Sequence, residues 1–182
     1  MVKMKKAIFG GSFDPPHSGH LDIIKQTLAS LDVDKVIVVP AFLNPFKSKS
    51  YAPAYLRLKW LETMTKELEN VEVSSYEIDQ NRAVASIETV NHFTDASDTI
   101  YLIIGADNLQ GLPKWKNFED LDQKVSWVVA TRDGISIPPQ YLRLNVDQNV
   151  SATQLRQSVN EAYLDKSIAD EIITYYKDID NG

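Results

Sequence analysis

Cysteine is absent from this 182-residue sequence, which removes any disulfide framework and fits a reducing compartment. Histidine is scarce as well, with three in all. Zinc needs three or four ligands, and with no thiolate and only His17, His20 and His92 on offer a zinc centre is disfavoured. Positive charge falls short of negative, 19 Lys and Arg against 25 Asp and Glu, for a formal net charge of -6. That balance argues against broad nucleic-acid binding, which relies on cations neutralising phosphates. An anionic small substrate would need a local basic patch instead, and Lys47 and Lys49 supply one within Ala41 to Leu61, a stretch that holds no acid. Long apolar runs are missing too. After the basic Met1 to Lys6 only Ala7, Ile8 and Phe9 follow, too few for a signal-peptide core or a membrane span, so a cytoplasmic location with no membrane partner is expected. The Gly-Lys-Ser/Thr close of a Walker A loop and the G-x-G-x-x-G fingerprint are both absent, which counts against P-loop hydrolases and nicotinamide-dependent dehydrogenases.

What is present is an ordinary globular composition, 43% hydrophobic and 24% charged, from which one domain over residues 1–182 is expected. The chain is organised around Gly10-Gly11-Ser12-Phe13-Asp14-Pro15-Pro16-His17-Ser18-Gly19-His20-Leu21. Ala7, Ile8 and Phe9 read as the end of a buried strand, and the glycine pair lets the backbone turn tightly or approach a ligand without a Cβ in the way. From Ser18 onward Leu21, Ile24, Leu28 and Leu31 recur at helical spacing, which puts His17 and His20 at or just before a helix N-terminus on roughly one face. Imidazole donors there would join the unpaired backbone N–H groups in facing an anion.

Further along, Lys35 to Pro40 is a β-branched run ended by proline, as expected of a parallel strand buried on both faces. The proline-rich stretch from Pro40 to Pro53 reads as a loop at that strand's carboxyl end, where α/β folds bind ligands. Leu58, Leu61 and Leu68 mark a helix, Val71 to Ser75 a short strand, and Ile87, Val90 and Phe93 a helix capped near Ser86. Ile100 to Gly105 is a buried strand followed by Ala106-Asp107-Asn108-Leu109 at the start of a short helix. A loop with Pro113 and Trp115, a helix near Phe118 to Asp122, a strand from Val125 to Thr131 and a weaker one from Leu142 to Val146 complete the sheet. Ile168, Ile172, Tyr175 or Tyr176, and Ile179 make an amphipathic final helix whose stripe packs on a core. The alternation predicts an α/β fold: a doubly wound, Rossmann-like, mostly parallel sheet of five to six strands with helices on both faces. Near the end, Ser151 with Gln154 three residues on is the capping-box arrangement, and Thr153 and Arg156 fall within about one turn of that helix start, where a hydroxyl and a guanidinium can converge on phosphate oxygens.

These residues carry a resemblance. Gly-Gly-Ser-Phe-Asp-Pro-Pro-His-Ser-Gly-His resembles the signature of the HxGH nucleotidylyltransferases, and in this form it is most similar to that of the bacterial nicotinate-nucleotide adenylyltransferases. Val150-Ser-Ala-Thr-Gln-Leu-Arg156 resembles the family's Ile-Ser-x-Thr-x-x-Arg segment, with Val for Ile. Asn44-Pro-Phe-Lys47 is similar to its Pro-Pro-His-Lys loop, with Phe46 where a His is usual. The resemblance implies transfer of an adenylyl group from ATP to nicotinate mononucleotide, by in-line attack of the mononucleotide phosphate on the α-phosphorus, with Mg²⁺ on the β and γ phosphates and Asp14 as one conceivable ligand. His17, His20, Lys47 and Arg156 would be catalytic. Gly10, Gly11, Ser12, Phe13, Gly105, Asp107, Arg132, Ser151 and Thr153 would join the histidines and Arg156 in binding ATP. Trp115 would stack on the pyridine ring, and backbone donors near Ser86 and Trp115 would meet the nicotinate carboxylate, although Val84 to Val90 keeps only Ser86 and the acidic-Thr-apolar ending of the family's segment. Other acceptors, nicotinamide mononucleotide or phosphopantetheine, and cytidylyl transfer belong to the same chemistry; Gly10-Gly11, Asp107 and Trp115 together favour the pyridine nucleotide. A nucleotide-binding sensor without turnover is the reading outside enzymes, and intact His17, His20, Thr153 and Arg156 argue against it.

Overall fold

Two apolar strands with dry faces on both sides form the middle of the sheet. In the computed structural model, which describes residues 2–146 and 150–180, β1 (Lys5–Gly11) and β4 (Thr99–Gly105) lie side by side in parallel. Outward from β1 come β2 (Lys35–Pro40) and β3 (Val71–Val73); outward from β4 come β5 (Val125–Ala130) and β6 (Leu142–Leu144). The order among the described residues is β3-β2-β1-β4-β5-β6, and every pairing is parallel. The sheet is therefore wholly rather than mostly parallel, and β3, β5 and β6 each stop short of the expected Ser75, Thr131 and Val146.

Alternate residues of the central strands feed two cores, as the two-residue period of a strand requires. Ala7, Phe9, Val36, Val38 and Ile103 pack on one side with α1 (Ser18–Ser30), α2 (Ala54–Thr65) and α7 (Ala169–Asp180), through Ile24, Trp60, Leu61 and Ile172. Ile8, Ile37, Val39, Leu102 and Ile104 pack on the other with α4 (Ser86–Phe93) and α5 (Phe118–Lys124), through Ile87, Val90 and Leu121. Among the described residues no helix is long and apolar enough to cross a membrane.

The chain runs outward from β1 to β3 and then crosses back to β4. The loops after β1 and β4 consequently diverge, leaving a crevice at the carboxyl ends of these neighbouring strands. Several local expectations shift there. Gly10 and Gly11 are the last residues of β1, in register with Val39 and Pro40, and the turn falls after them. Phe13 turns the chain with φ 49°, the left-handed region that costs a non-glycine residue about 1–2 kcal/mol; its ring is 2% exposed and edge-on to Phe9 and His20, packing that holds the conformation. A short helix, α3 (Tyr76–Asp79), precedes the segment that periodicity leaves unread. The expected short helix after Gly105 is a 3-10 run, Ala106–Lys114, with Pro113 inside it rather than in a loop.

α2 presents Arg57, Trp60, Leu61, Met64 and Thr65 to the interior, a face that includes a charge. The Arg57 guanidinium is fully buried and donates to the carbonyls of Ala52 (3.0 Å), Ser12 (2.5 Å) and Phe42 (3.1 Å), tying the loop after β1 to the loop after β2. Replacing Arg57 with Met keeps most of the volume and strands three acceptors, one buried and two partly buried. Urea unfolding of Arg57→Met should show a loss of about 2–4 kcal/mol; a loss under 1 kcal/mol would mean that water replaces the guanidinium there.

Candidate active site

The helix after the Ser12–Pro16 turn begins with an unusual cap. His17 is the N-cap of α1 and its Nδ1 accepts from the Gly19 N–H at 3.1 Å, while His20, at the third helical position, accepts the His17 N–H on its own Nδ1 at 3.1 Å. This is a capping box built from two imidazoles. Gly19 is required between them, since a Cβ there would lie 2.9 Å from the His17 ring and 3.1 Å from Val150. Because both Nδ1 atoms accept, each neutral ring carries its proton on Nε2, and both histidines offer a donor there. The rings stack with centroids 3.7 Å apart.

Charge on either ring is disfavoured. Burial, and then the nearby Arg132, lowers His17 to about 4; burial, and then His17, holds His20 well below the usual histidine range. Arg132, which the resemblance assigns to the nucleotide, is close enough for its charge to bear on His17.

At the other end of the same turn Asp14 is buried, 3% exposed. Its carboxylate accepts the N–H groups of Tyr51 (2.7 Å) and Ala52 (2.9 Å) and the hydroxyl of Tyr176. Burial and the adjacent Asp14 push the Tyr176 phenol pKa well above the usual range, so Tyr176 stays a donor. These three donors occupy both oxygens of the carboxylate, which therefore fits a structural anchor better than the direct Mg²⁺ ligand considered from sequence. Arg156, from α6 (Ala152–Gln157), donates Nη1 to the Asp14 carbonyl (2.6 Å) and Nη2 to Thr153 Oγ1 (3.2 Å), and its guanidinium lies 4.3 Å from the centroid of the Tyr51 ring. Ser151 caps α6 through the predicted box, accepting from Gln154 N–H at 3.1 Å.

Lys47 sits on the loop after β2, its ammonium within 3.4 Å of Ser12 Oγ. Ser12, Phe46, Lys47, Lys49, Tyr51 and Arg156 line a cleft of about 320 Å³. The structure therefore brings Lys47 and Arg156 together. His17 and His20 do not line this cleft but stand at the far end of the turn that borders it. Phe46, in place of the usual His, is 69% exposed and is not held against the protein.

Across the crevice Gly105 ends β4, and a Cβ there would lie 2.6 Å from Asp107 Oδ1; the glycine lets the exposed Asp107 fold back over the strand end. Trp115 is half-buried, edge-on to Trp127 with centroids 6.1 Å apart. Its N–H donates to Leu112 C=O at 3.1 Å, so the backbone donor expected at Trp115 is already engaged. Ser86 is the first residue of α4 rather than its cap. Ala85 is the cap, and Glu88 accepts the Ala85 N–H at 3.3 Å while pairing with Arg82 and Lys116. In the first turn of α4 the Glu88 N–H donates to the Ala85 carbonyl at 2.9 Å, and the N–H groups ahead of it have no intrahelical partner.

Tyr51, Arg57 and Tyr176 are missed by reasoning from sequence. For Arg57 a signal exists: it lies three and four residues before Trp60 and Leu61, on the face that those two bury. Of the remaining histidine, His92 stacks on Tyr76 at 3.8 Å, away from the pair, and among the described residues no His, Cys, Asp or Glu group of metal-site size occurs.

The sheet order, the Gly-ended central strands and the capped histidine pair define a nucleotidyltransferase of the cytidylyltransferase-like class, and a family of that description matches residues 8–158. The chain is 51% identical over 172 residues to a Sulfurimonas denitrificans protein, covering 94% of each, and 45% identical over 177 residues to one from Campylobacter fetus, covering 96% of this chain and 98% of that one. Both carry the description "Probable nicotinate-nucleotide adenylyltransferase". Within the class, the chain belongs to the nicotinate-nucleotide adenylyltransferase family. A solved Plasmodium falciparum nicotinic acid mononucleotide adenylyltransferase complexed with NaAD shares the fold, with a TM-score of 0.70 at 17% identity over 96% of this chain and 98% of that one.

The capped histidines set an expected pH dependence. Between pH 4 and 6.5 the unfolded chain binds a proton at His17 that the folded chain does not, so stability falls as pH drops through this window, by about 3 kcal/mol in total. Glu77 acts oppositely. Buried first of all, and close to Glu88, its carboxyl is raised to about 7 despite accepting from Thr89, so the folded state holds an extra proton between 4.5 and 7 and loses that stability as pH rises. The two slopes overlap and offset, so the informative quantity is a difference. His17→Asn keeps a capping acceptor without a titration. Its unfolding free energy minus that of the wild type should increase by about 3 kcal/mol from pH 7 to pH 4; parallel curves would show that His17 is not held neutral.

Proposed function

We propose that this enzyme transfers the adenylyl group of ATP to nicotinate mononucleotide, giving nicotinate adenine dinucleotide and pyrophosphate, a step of NAD biosynthesis. The observation that carries the reading is the pair of neutral imidazoles, each fixed with Nε2–H as its donor, at the N-terminus of α1 beside the crevice between β1 and β4. A phosphate oxygen of the acceptor forms a bond to the α-phosphorus while the bond to the bridging oxygen of pyrophosphate breaks. The nucleophile is already an anion, so no base is needed. The protein's task is to position the phosphates and to stabilise charge on the transferring group. His17 and His20 donate to the α-phosphate oxygens, and Lys47, Arg156, Thr153 and the α6 N-terminus hold the leaving end. Gly10 and Gly11 leave room for the nucleotide to lie on the strand end, with Ser12, Phe13, Gly105, Asp107, Arg132 and Ser151 around it. With the Asp14 carboxylate filled by protein donors, Mg²⁺ fits as an ion carried on substrate phosphates and water; when bound it neutralises the β and γ phosphates. The segment 1–182 acts as one catalytic domain, with no nucleic-acid partner, in the cytoplasm where ATP is supplied.

Trp115 stacks on the pyridine ring and the first turn of α4 at Ser86 receives the nicotinate carboxylate. Arg82 and Lys116 both pair with Glu88 in that turn, which sets two cations beside it and supports an acid over an amide.

Pyrophosphate release from ATP plus nicotinate mononucleotide, nicotinamide mononucleotide or phosphopantetheine, measured side by side, tests the assignment. Nicotinate mononucleotide should lead its amide by about tenfold to a few hundredfold in kcat/KM, the difference expected when charge-assisted bonds replace neutral ones. Equal values would remove the acid preference and leave adenylyl transfer standing. His20→Ala should lower kcat by about a hundred- to a thousandfold, the loss typical of one preorganised donor, with folding checked by circular dichroism. Near-normal turnover in that variant would discard the histidine role.

A further inference from the structure

Tyr51 is on none of the sequence motifs, yet two cations of the cleft converge on it. The Arg156 guanidinium lies 4.3 Å from its ring centroid, and the Lys49 ammonium 5.2 Å. Arg156 arrives from α6, late in the chain, whereas Lys49 comes from the same loop as Tyr51. The ring is fixed from its backbone on both sides: the Tyr51 N–H donates to Asp14 Oδ2 at 2.7 Å, and the Tyr51 carbonyl accepts from the Tyr175 hydroxyl of α7 at 3.1 Å. Arg156 in turn has one arm on the Asp14 carbonyl and another on Thr153. A guanidinium over an aromatic face is attracted by the ring quadrupole and gives up none of its in-plane N–H donors to that contact. We infer that Tyr51 is a positioning residue, whose ring holds Arg156, and beside it Lys49, over the cleft so that both cations meet the anionic end of the polyphosphate. This rests on the proposed use of the cleft for ATP.

The ring is 42% exposed, so a change there is compatible with folding. Tyr51→Leu removes the aromatic face and keeps the backbone N–H to Asp14; Tyr51→Phe keeps the face and removes only the hydroxyl. Steady-state kinetics on the full chain should show the KM for ATP raised about three- to tenfold in Tyr51→Leu, the KM for nicotinate mononucleotide within twofold of wild type, and the KM for ATP restored in Tyr51→Phe. In an Arg156→Ala background, Tyr51→Leu should cost less for ATP than it does in the wild type, because the nearer of the two cations it positions is gone. The same fold loss in both backgrounds, or an equal loss in Tyr51→Phe, would overturn the proposal and reduce Tyr51 to ordinary packing. If Tyr51→Leu melts early, Tyr51→Gln serves at this half-exposed position with the same expectations. A wild type that releases no pyrophosphate from ATP and nicotinate mononucleotide would instead defeat the functional reading. Turnover in the wild type with an additive Tyr51/Arg156 cycle would defeat only the positioning role.

Discussion

The site depends on one buried carboxylate. Asp14 accepts two backbone N–H groups from Tyr51 and Ala52 and a hydroxyl from Tyr176, and its own carbonyl accepts Arg156. A carboxylate that deep is tolerable only when its lone pairs are filled. Filling them joins the turn after β1, the loop after β2, α6 and α7, segments that no covalent feature holds together. Arg57 completes the junction from beneath by taking the Ser12 and Phe42 carbonyls. Its burial lowers the guanidinium pKa, and Asp14 offsets part of that, so each of the two buried charges makes the other less costly.

From this junction the two ends of the Ser12–Pro16 turn acquire different chemistry. At one end are formal cations, Lys47, Lys49 and Arg156, on a partly open cleft. At the other the histidines are enclosed and uncharged, and their contribution is directional: Nε2–H donors fixed by the bonds at Nδ1. A leaving pyrophosphate needs charge, whereas a transferring phosphoryl group needs donors that do not reorganise. The left-handed Phe13 belongs to the same division, because its ring packs edge-on against His20, 4.8 Å between centroids, and covers one side of that imidazole.

Much of this was legible in the sequence because its causes are local. Runs such as Lys35 to Pro40 and Ile100 to Gly105 declare buried strands, Ser151 and Gln154 declare a cap, and the stripe of Leu21, Ile24 and Leu28 puts His17 and His20 at a helix start, though not as the capping pair they form. What was not legible depends on distant partners or on geometry that residue type does not encode. Tyr176 reads as part of an amphipathic stripe, and only the tertiary fold aims its hydroxyl at Asp14. Arg57 shares the face that Leu61 marks, but the carbonyls it takes belong to two distant loops. Ser86 has the composition of a cap, but Ala85 has the extended backbone of one and Glu88 satisfies its N–H. Pro113 reads as a loop marker, yet the tighter turns of a 3-10 run continue past it.

The overall acidity of the chain and its anionic substrates are reconciled by distance. At physiological ionic strength charges more than about 8 Å apart in solvent are largely screened, while partly buried contacts are screened much less. The net charge of -6 therefore has little influence within the cleft that Lys47 and Arg156 line. The donors that carry no formal charge, the two imidazole N–H groups and the helix N-termini, are less sensitive to salt than the cations. The cations gathered by the Asp14 junction thus set the local field of the cleft, whatever the sign of the chain's overall charge.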